Sequence, residues 1–470
     1  MGRQWTGRGR RAIFSALRYA WAEGLDPDDY DVAAIEALWD ARSADGRDRL
    51  DRLLTESVLH YADHVRFGRL YRADTADGPG PLAAGSLSAA EQLVGDIRAS
   101  ADPFSYLLGL APRHRHYQDL RRALVRYRQL AARGGWPLVA SGPTIRPGDA
   151  DPRLDDLRDR LIIEGDLGRE APYSERYEGA LIDAVKSFQE RHGLKSDGLV
   201  GRDTAAALGA SVEDRMRTIA VNLERWRQAA HSLGRRHLLV DIAGFHLEAV
   251  SDGVTRLEMP VIVGTPYNET PVFSSAIGHP ELNPFWNVPV SITRNEFLPE
   301  LIRDPAYLVK NHFRVFETRD SELVEVDSTA LDWAAIGRGI ARYRVRQDPG
   351  PWNSLGRIKF MMPNAFDVYL HDTPHQGLFG LTDRAFSHGC IRLARPFELA
   401  AFAMNADPQS DAFARIMARV DSGERHVLKL EQVLPVHIVY LTARVDSDGT
   451  MRFNPDLYGR DQGLRARLDR

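Results

Sequence analysis

Cys390 is the single cysteine of this 470-residue chain, and its neighbours are of the types that turn a thiol into a nucleophile. It closes Ser387-His388-Gly389-Cys390, Arg392 follows two positions later, and His371 ends the stretch Val368-Tyr369-Leu370 nineteen positions upstream. A free thiol with a pKa of about 8.5 is only slightly ionised at neutral pH, so catalysis requires a base within hydrogen-bond reach. His371 and His388 are the two candidates, and spacing alone does not choose between them. Gly389 allows close backbone approach and an unusual φ. Consecutive N–H groups at 388–390 can then converge on one point, as an oxyanion site for acyl transfer requires. Ala394-Arg395-Pro396 is expected to open an apolar helix with proline in its first turn. That helix start and Arg392 would both favour the thiolate.

Two other readings compete. His371, His375, His388 and Cys390 can be written as four metal ligands, but neither His-x-x-x-His across a proline-containing loop nor His-x-Cys matches the usual zinc spacings, and there is no second cysteine. No metal or other cofactor is expected. The remaining reading is an inert core thiol with incidental histidines.

The residues that must place Cys390 lie in a β-rich region. From His237 the pattern has period two: His237–Ile242, Phe245–Val250, the turn Ser251-Asp252-Gly253, then Leu257–Val263. Strands are expected again at Ile358–Met362 and Asp367–Leu370. The long mixed segment between them, 295–347, is expected to be a capping insertion. Residues 237–445 form this domain, preceded by a linker helix at 211–236 and followed by a C-terminal tail at 446–470.

Upstream the grammar is helical. Residues 1–150 form one block, with Leu53, Leu54, Val58, Tyr61, Ala62 and Val65 at spacings of three and four. Gly/Pro/Ala-rich residues at 73–85 interrupt it, and His60, His64, His114 and His116 are expected at the surface or as caps. Residues 151–210 form a compact helical module with Tyr177, Leu181, Val185 and Phe188 on one face. A turn at Ser196-Asp197-Gly198 and a final helix capped at Asp203-Thr204 are expected there.

Composition bounds the rest. Apolar residues are 43% and charged residues 27%, the balance of a globular multidomain chain, and the net charge of −4 excludes the basic footprint of a nucleic-acid binder. No apolar run is long enough to cross a membrane as a helix, and no export signal is visible.

Ser387-His-Gly-Cys390 with His371 upstream resembles the catalytic motif of the L,D-transpeptidases of YkuD-type fold. The run Gln347-Asp-Pro-Gly-Pro-Trp-Asn-Ser-Leu-Gly-Arg-Ile-Lys-Phe looks like their large, YcbB-like branch. AVKSFQERHGLKSDGLVGRDTAAAL, within 151–210, looks like a small peptidoglycan-binding module. The resemblance implies a multidomain α+β chain: an α-helical scaffold, a peptidoglycan-binding module and a β-rich YkuD-type catalytic domain with a capping insertion. It implies Cys390 as nucleophile, His371 as proton acceptor and donor, and His388, Gly389 and Cys390 around the oxyanion. It also implies that a backbone carbonyl after the histidine orients the base. Substrate contacts are expected at Ser387, Arg392, Asn353, Tyr369 and Phe386, although Arg392 stands where many relatives outside this branch carry asparagine. The implied reaction is transfer of an acyl group from a tetrapeptide stem to a second stem, forming a 3-3 cross-link and releasing D-alanine. Carbapenem acylation and a periplasmic, wall-associated location follow from the same likeness. The same Cys-His pair would also serve an L,D-carboxypeptidase or endopeptidase, and partner proteins are not indicated.

Overall fold

The computed structural model describes residues 5–70, 87–407 and 409–468. The Gly/Pro/Ala-rich interruption expected at 73–85 lies outside the described residues. The chain divides into two compact units: residues up to Leu233 with Tyr440 onward, and Gly234–Val439.

The first unit is helical. Its long helix, Ala44–Phe67, starts where the Ser43 hydroxyl accepts from the Gly46 N–H, and it buries Leu54, Val58, Tyr61, Ala62 and Val65. Of the four histidines expected as surface or capping residues, His114 does cap the helix Arg115–Ala132, its Nδ1 accepting from Tyr117 N–H. His116, by contrast, is buried against Trp226 with ring centroids 5.5 Å apart.

The module at 151–210 packs Tyr177, Leu181, Val185 and Phe188 into one core around the helix Ala180–Arg191. Asp197 accepts from Leu199 N–H and Gly198 has φ 73°, so the expected turn forms. The expected cap at Asp203-Thr204 does not. That helix begins at Arg202 after an uncapped Gly201, placing Asp203 inside the first turn, where its charge suits the helix dipole.

Of residues 446–470, expected as a tail, those up to 468 are instead structured within this unit. Met451–Phe453 pairs with Ala443–Val445, and the helix Arg460–Leu468 follows. Asn222 donates to Thr442 at 2.8 Å, and Phe453 stacks on His192.

The second unit is built on a sheet that curls. In spatial order its strands are 426–427, 279–282, 358–361, 370–371, 391–393, 254–264, 246–251, 236–241, 434–439 and 273–277, with 385–387 added beside 254–264. Strands 273–277 and 279–282 lie near opposite ends of this order yet are joined by Gly278 alone, so the sheet must turn back on itself. The hairpin at Asp252-Gly253 has φ of 53° and 77°, the left-handed pair that a two-residue turn needs.

The strand expected at Asp367–Leu370 is displaced to Leu370–His371. Asn364 explains the shift: its Oδ1 accepts from the N–H groups of Phe366 and Val368, and its Nδ2 donates to the Val368 carbonyl. Those backbone groups are therefore unavailable to a ladder.

The capping insertion starts earlier than expected. Trp286–Asn287, Phe313–Arg319, Glu322–Val326 and Tyr343–Gln347 form their own four-stranded sheet over a separate core containing Phe297, Leu301, Trp333 and Tyr343.

Candidate active site

Leu370–His371 runs between the strands Ile358–Met361 and Ile391–Leu393, pairing His371 with Arg392 across a parallel ladder. Ile391 N–H donates to the Tyr369 carbonyl at 3.1 Å, which brings Tyr369 alongside Cys390. The helix predicted after Ala394 is present as Pro396–Ala403, with proline in its first turn.

The half-buried thiol of Cys390 lies within hydrogen-bonding range of both the Tyr369 hydroxyl and its backbone, and 3.9 Å from the Asp367 carbonyl. Burial raises its pKa, outweighing the opposing pull of Tyr369 and Arg392. Arg392 does favour the thiolate as expected, but desolvation is the larger effect and the net shift is upward. Tyr369 is pushed well up in turn, by burial first and then by the adjacent thiol.

His371 is buried, and its Nδ1 is 2.5 Å from the Asp372 carbonyl, the backbone oxygen directly after it. Its pKa is lowered to about 3, by burial first and then by Arg392. The carbonyls of Asp372 and Leu355 oppose that shift. The resting imidazole is thus neutral. Among the described residues no hydrogen bond joins it to Cys390. Tyr369 stands beside both, its ring centroid 5.7 Å from that of His371. The Asp372 carboxylate faces elsewhere, accepting from Arg357 N–H and Gln376.

The remaining expected site residues separate into two groups. Arg392 is close enough to Cys390 and His371 to act on both electrostatically, and its Nε carries no hydrogen bond. Phe386 is 39% exposed on the strand before the motif. Ser387, expected at the substrate, is instead buried and internal: it accepts from Gly389 N–H and donates to the Cys390 carbonyl. One of the N–H groups expected at the oxyanion site is thereby already committed. Asn353 is likewise corrected. It is fully buried, donating to the carbonyls of Pro284 and Asp348 and accepting from Leu355 N–H, so it braces the loop before the strand Ile358–Met361 that pairs with His371. His388 does not share a face with Cys390, because Gly389 at φ 109° turns the chain between them. Its Nε2 meets Glu296 Oε1 of the cap at 2.6 Å.

His371, His375, His388 and Cys390 are not gathered as a ligand set. Among the described residues no group of three His, Cys, Asp or Glu is placed to hold a metal. Thr270 is a contributor that sequence reasoning missed: it is buried, accepts from Gly264 N–H and donates to the Gly389 carbonyl at 2.8 Å. A lone threonine more than a hundred residues from the motif carries no sequence signal.

The Tyr369 contact makes a prediction. Tyr369→Phe deletes one hydroxyl without emptying the pocket, and it is expected to slow acylation of Cys390 by about 10- to 100-fold, the worth of a hydrogen bond to a developing charge. Rapid-quench mass spectrometry of the acyl-enzyme measures this.

Residues 235–417 match a family model described as YkuD, L,D-transpeptidase catalytic domain. Residues 3–124 match "Scaffold domain" and 151–208 match "Putative peptidoglycan binding domain". These matches describe a modular chain whose segments are similar to a scaffold domain, a peptidoglycan-binding module and a β-rich catalytic domain. Residues 235–417 are thus similar to the catalytic domain of the YkuD L,D-transpeptidases. A protein named "Putative L,D-transpeptidase" from Haemophilus influenzae is 32% identical over 227 residues, covering 48% of this chain and 45% of that one. The match thus spans less than half of that relative's length. Among solved structures, an L,D-transpeptidase from Stackebrandtia nassauensis is 13% identical, covering 64% of this chain and 96% of that one, with a TM-score of 0.25. One from Xylanimonas cellulosilytica is 15% identical, covering 64% and 98%, with a TM-score of 0.20.

Proposed function

We propose that this protein forms 3-3 cross-links in peptidoglycan by acyl transfer through Cys390. The observation that carries the reading is the thiol of Cys390 set beside Tyr369, whose ring lies next to a buried neutral His371 with its Nδ1 held by the Asp372 carbonyl. Cys390 Sγ attacks the carbonyl that joins the L-centre of meso-diaminopimelate to D-alanine in a tetrapeptide stem. The C–S bond forms, the C–N bond breaks, and the thiol proton reaches the departing D-alanine amine by way of His371. A side-chain amine of a second stem then attacks the thioester. The new C–N bond forms, the C–S bond breaks, and a proton from the amine restores the thiol.

His371 is neutral at rest and so free to take the thiol proton, and the carbonyls of Asp372 and Leu355 partly offset the burial that disfavours its protonated form. With Gly389 N–H held by Ser387, the Cys390 N–H and the Tyr369 hydroxyl are the donors best placed for the oxyanion. The same thiol chemistry makes Cys390 the site of acylation by carbapenems, and the substrate places the protein in the periplasm at the wall. The module at 151–208 supports wall attachment.

Product analysis with a disaccharide-tetrapeptide donor and an acceptor stem tests the proposal. Dimer carrying the 3-3 linkage, with one D-alanine released per bond, is expected. Release of D-alanine without any dimer at saturating acceptor would assign a hydrolase instead.

A further inference from the structure

The cap closes its own core with Ile292, Phe297, Leu301, Trp333 and Tyr343, so it has no need of the catalytic sheet to bury its apolar residues. One stretch of it is irregular. Thr293–Phe297 winds as a π-type turn, a local insertion that re-aims side chains and is frequent at functional sites. Thr293 and Phe297 point into the cap, while Glu296 is turned outward and reaches His388, with both side chains a little under half exposed. His388 is joined through Gly389 to Cys390. The opposite side of that turn is already fastened, Thr270 to the Gly389 carbonyl and Ser387 to the Cys390 carbonyl.

We infer that Glu296 is a positioning residue: by pairing with His388 it holds the cap against the Ser387–Cys390 turn and so sets how the acyl-enzyme divides between amine and water. The inference rests on the reading of Cys390 as the nucleophile. Both routes break the same C–S bond. Attack by an amine forms a C–N bond, whereas attack by water forms a C–O bond and leaves a free carboxylate; each returns a proton to the thiol. The difference between them is which nucleophile reaches the carbonyl, and that depends on the cap's seating. Glu296 touches neither the thiol nor His371, so loss of its carboxylate leaves the first half-reaction intact.

The test compares the full-length protein with Glu296→Ala and Glu296→Gln, using a tetrapeptide donor and a graded concentration of acceptor stem. In Glu296→Ala the donor adduct on Cys390 is expected to form within about twofold of the normal rate. The ratio of dimer to hydrolysed tripeptide is expected to fall about two- to fivefold, the scale of one half-exposed polar contact. Glu296→Gln, which still accepts a hydrogen bond from His388, is expected to recover part of the ratio. A fold defect would lower adduct rate and ratio together, and a lost adduct in Glu296→Ala overturns the assignment of Glu296 to the second half-reaction. A normal adduct with an unchanged ratio overturns the inference alone. No adduct in the unaltered protein overturns the nucleophile reading and this inference with it.

Discussion

Replacing Cys390 with alanine is expected to abolish the donor adduct and to lower turnover at least ~10³-fold, to background. The size follows from the role: no other cysteine exists in the chain to substitute, and every covalent step passes through this sulfur. Cys390→Ser is expected to rescue little, since a hydroxyl is the poorer nucleophile and lies in the same desolvated position. The resting state makes the point sharper. Burial pushes the thiol pKa up, with Tyr369 and Arg392 only partly offsetting it, so the resting group is a thiol and not a preformed thiolate. Attack must then be coupled to proton removal, and an unassisted alkylating agent should react slowly at neutral pH while the donor peptide reacts fast. Intact-mass measurements with iodoacetamide and with a tetrapeptide donor give the two rates. Equal discrimination between the two reagents in Cys390-containing protein and a free model thiol would sink the coupled-attack account, and any donor adduct surviving in Cys390→Ala would sink the assignment of the nucleophile.

Much of this site was legible in the sequence because its parts are local. Period-two strands, the Asp-Gly turn at 252–253 and the proline at the start of the helix after Ala394 are short-range signals whose physics does not depend on distant contacts. The motif Ser387–Cys390 is local as well, and it singles out the thiol that the fold sets beside Tyr369. The failures share one cause. Ser387 and Asn353, which the family resemblance puts at the substrate, both spend their hydrogen bonds on backbone groups inside the fold. The strand before His371 starts later than the sequence pattern predicts because Asn364, a residue with no periodic signature, captures the backbone of 366–368. Thr270 and Glu296 reach the motif only through tertiary structure. Nor can a sequence pattern rank burial against a neighbouring guanidinium, so the pull of Arg392 on the Cys390 thiol is legible in the sequence and the larger desolvation is not.

The other large effect is expected at His371. His371→Asn keeps a side chain able to donate to the Asp372 carbonyl but removes the proton shuttle, and it is expected to lower kcat by about 10²- to 10⁴-fold while the slow adduct that remains still depends on Cys390. Its pH dependence discriminates further. A general base must be neutral, and the folded pKa of about 3 keeps His371 neutral far below the ordinary histidine range, so the acid limb of kcat/KM is expected near pH 3 to 4 and activity at pH 5 should be largely retained. An acid limb at about 6.5 that disappears in His371→Asn would show the ring to be solvated in the working enzyme, against the burial seen here. Stability supplies an independent reading of the same group. Unfolded, His371 binds a proton near 6.5; folded, it does so only near 3. Between those values the unfolded chain holds the extra proton, so the contribution of His371 is fully present above 6.5 and is lost as the pH falls toward 3. The slope from this one residue is about 1.4 kcal/mol per pH unit, and it should be missing from denaturant titrations of His371→Asn. Because His64 and His192 are also held neutral by burial, the unaltered protein will keep some acid sensitivity from the helical unit. The comparison that isolates His371 is therefore the difference between the two proteins across pH 4 to 7, and parallel curves would rule out the buried neutral base on which the proton shuttle depends.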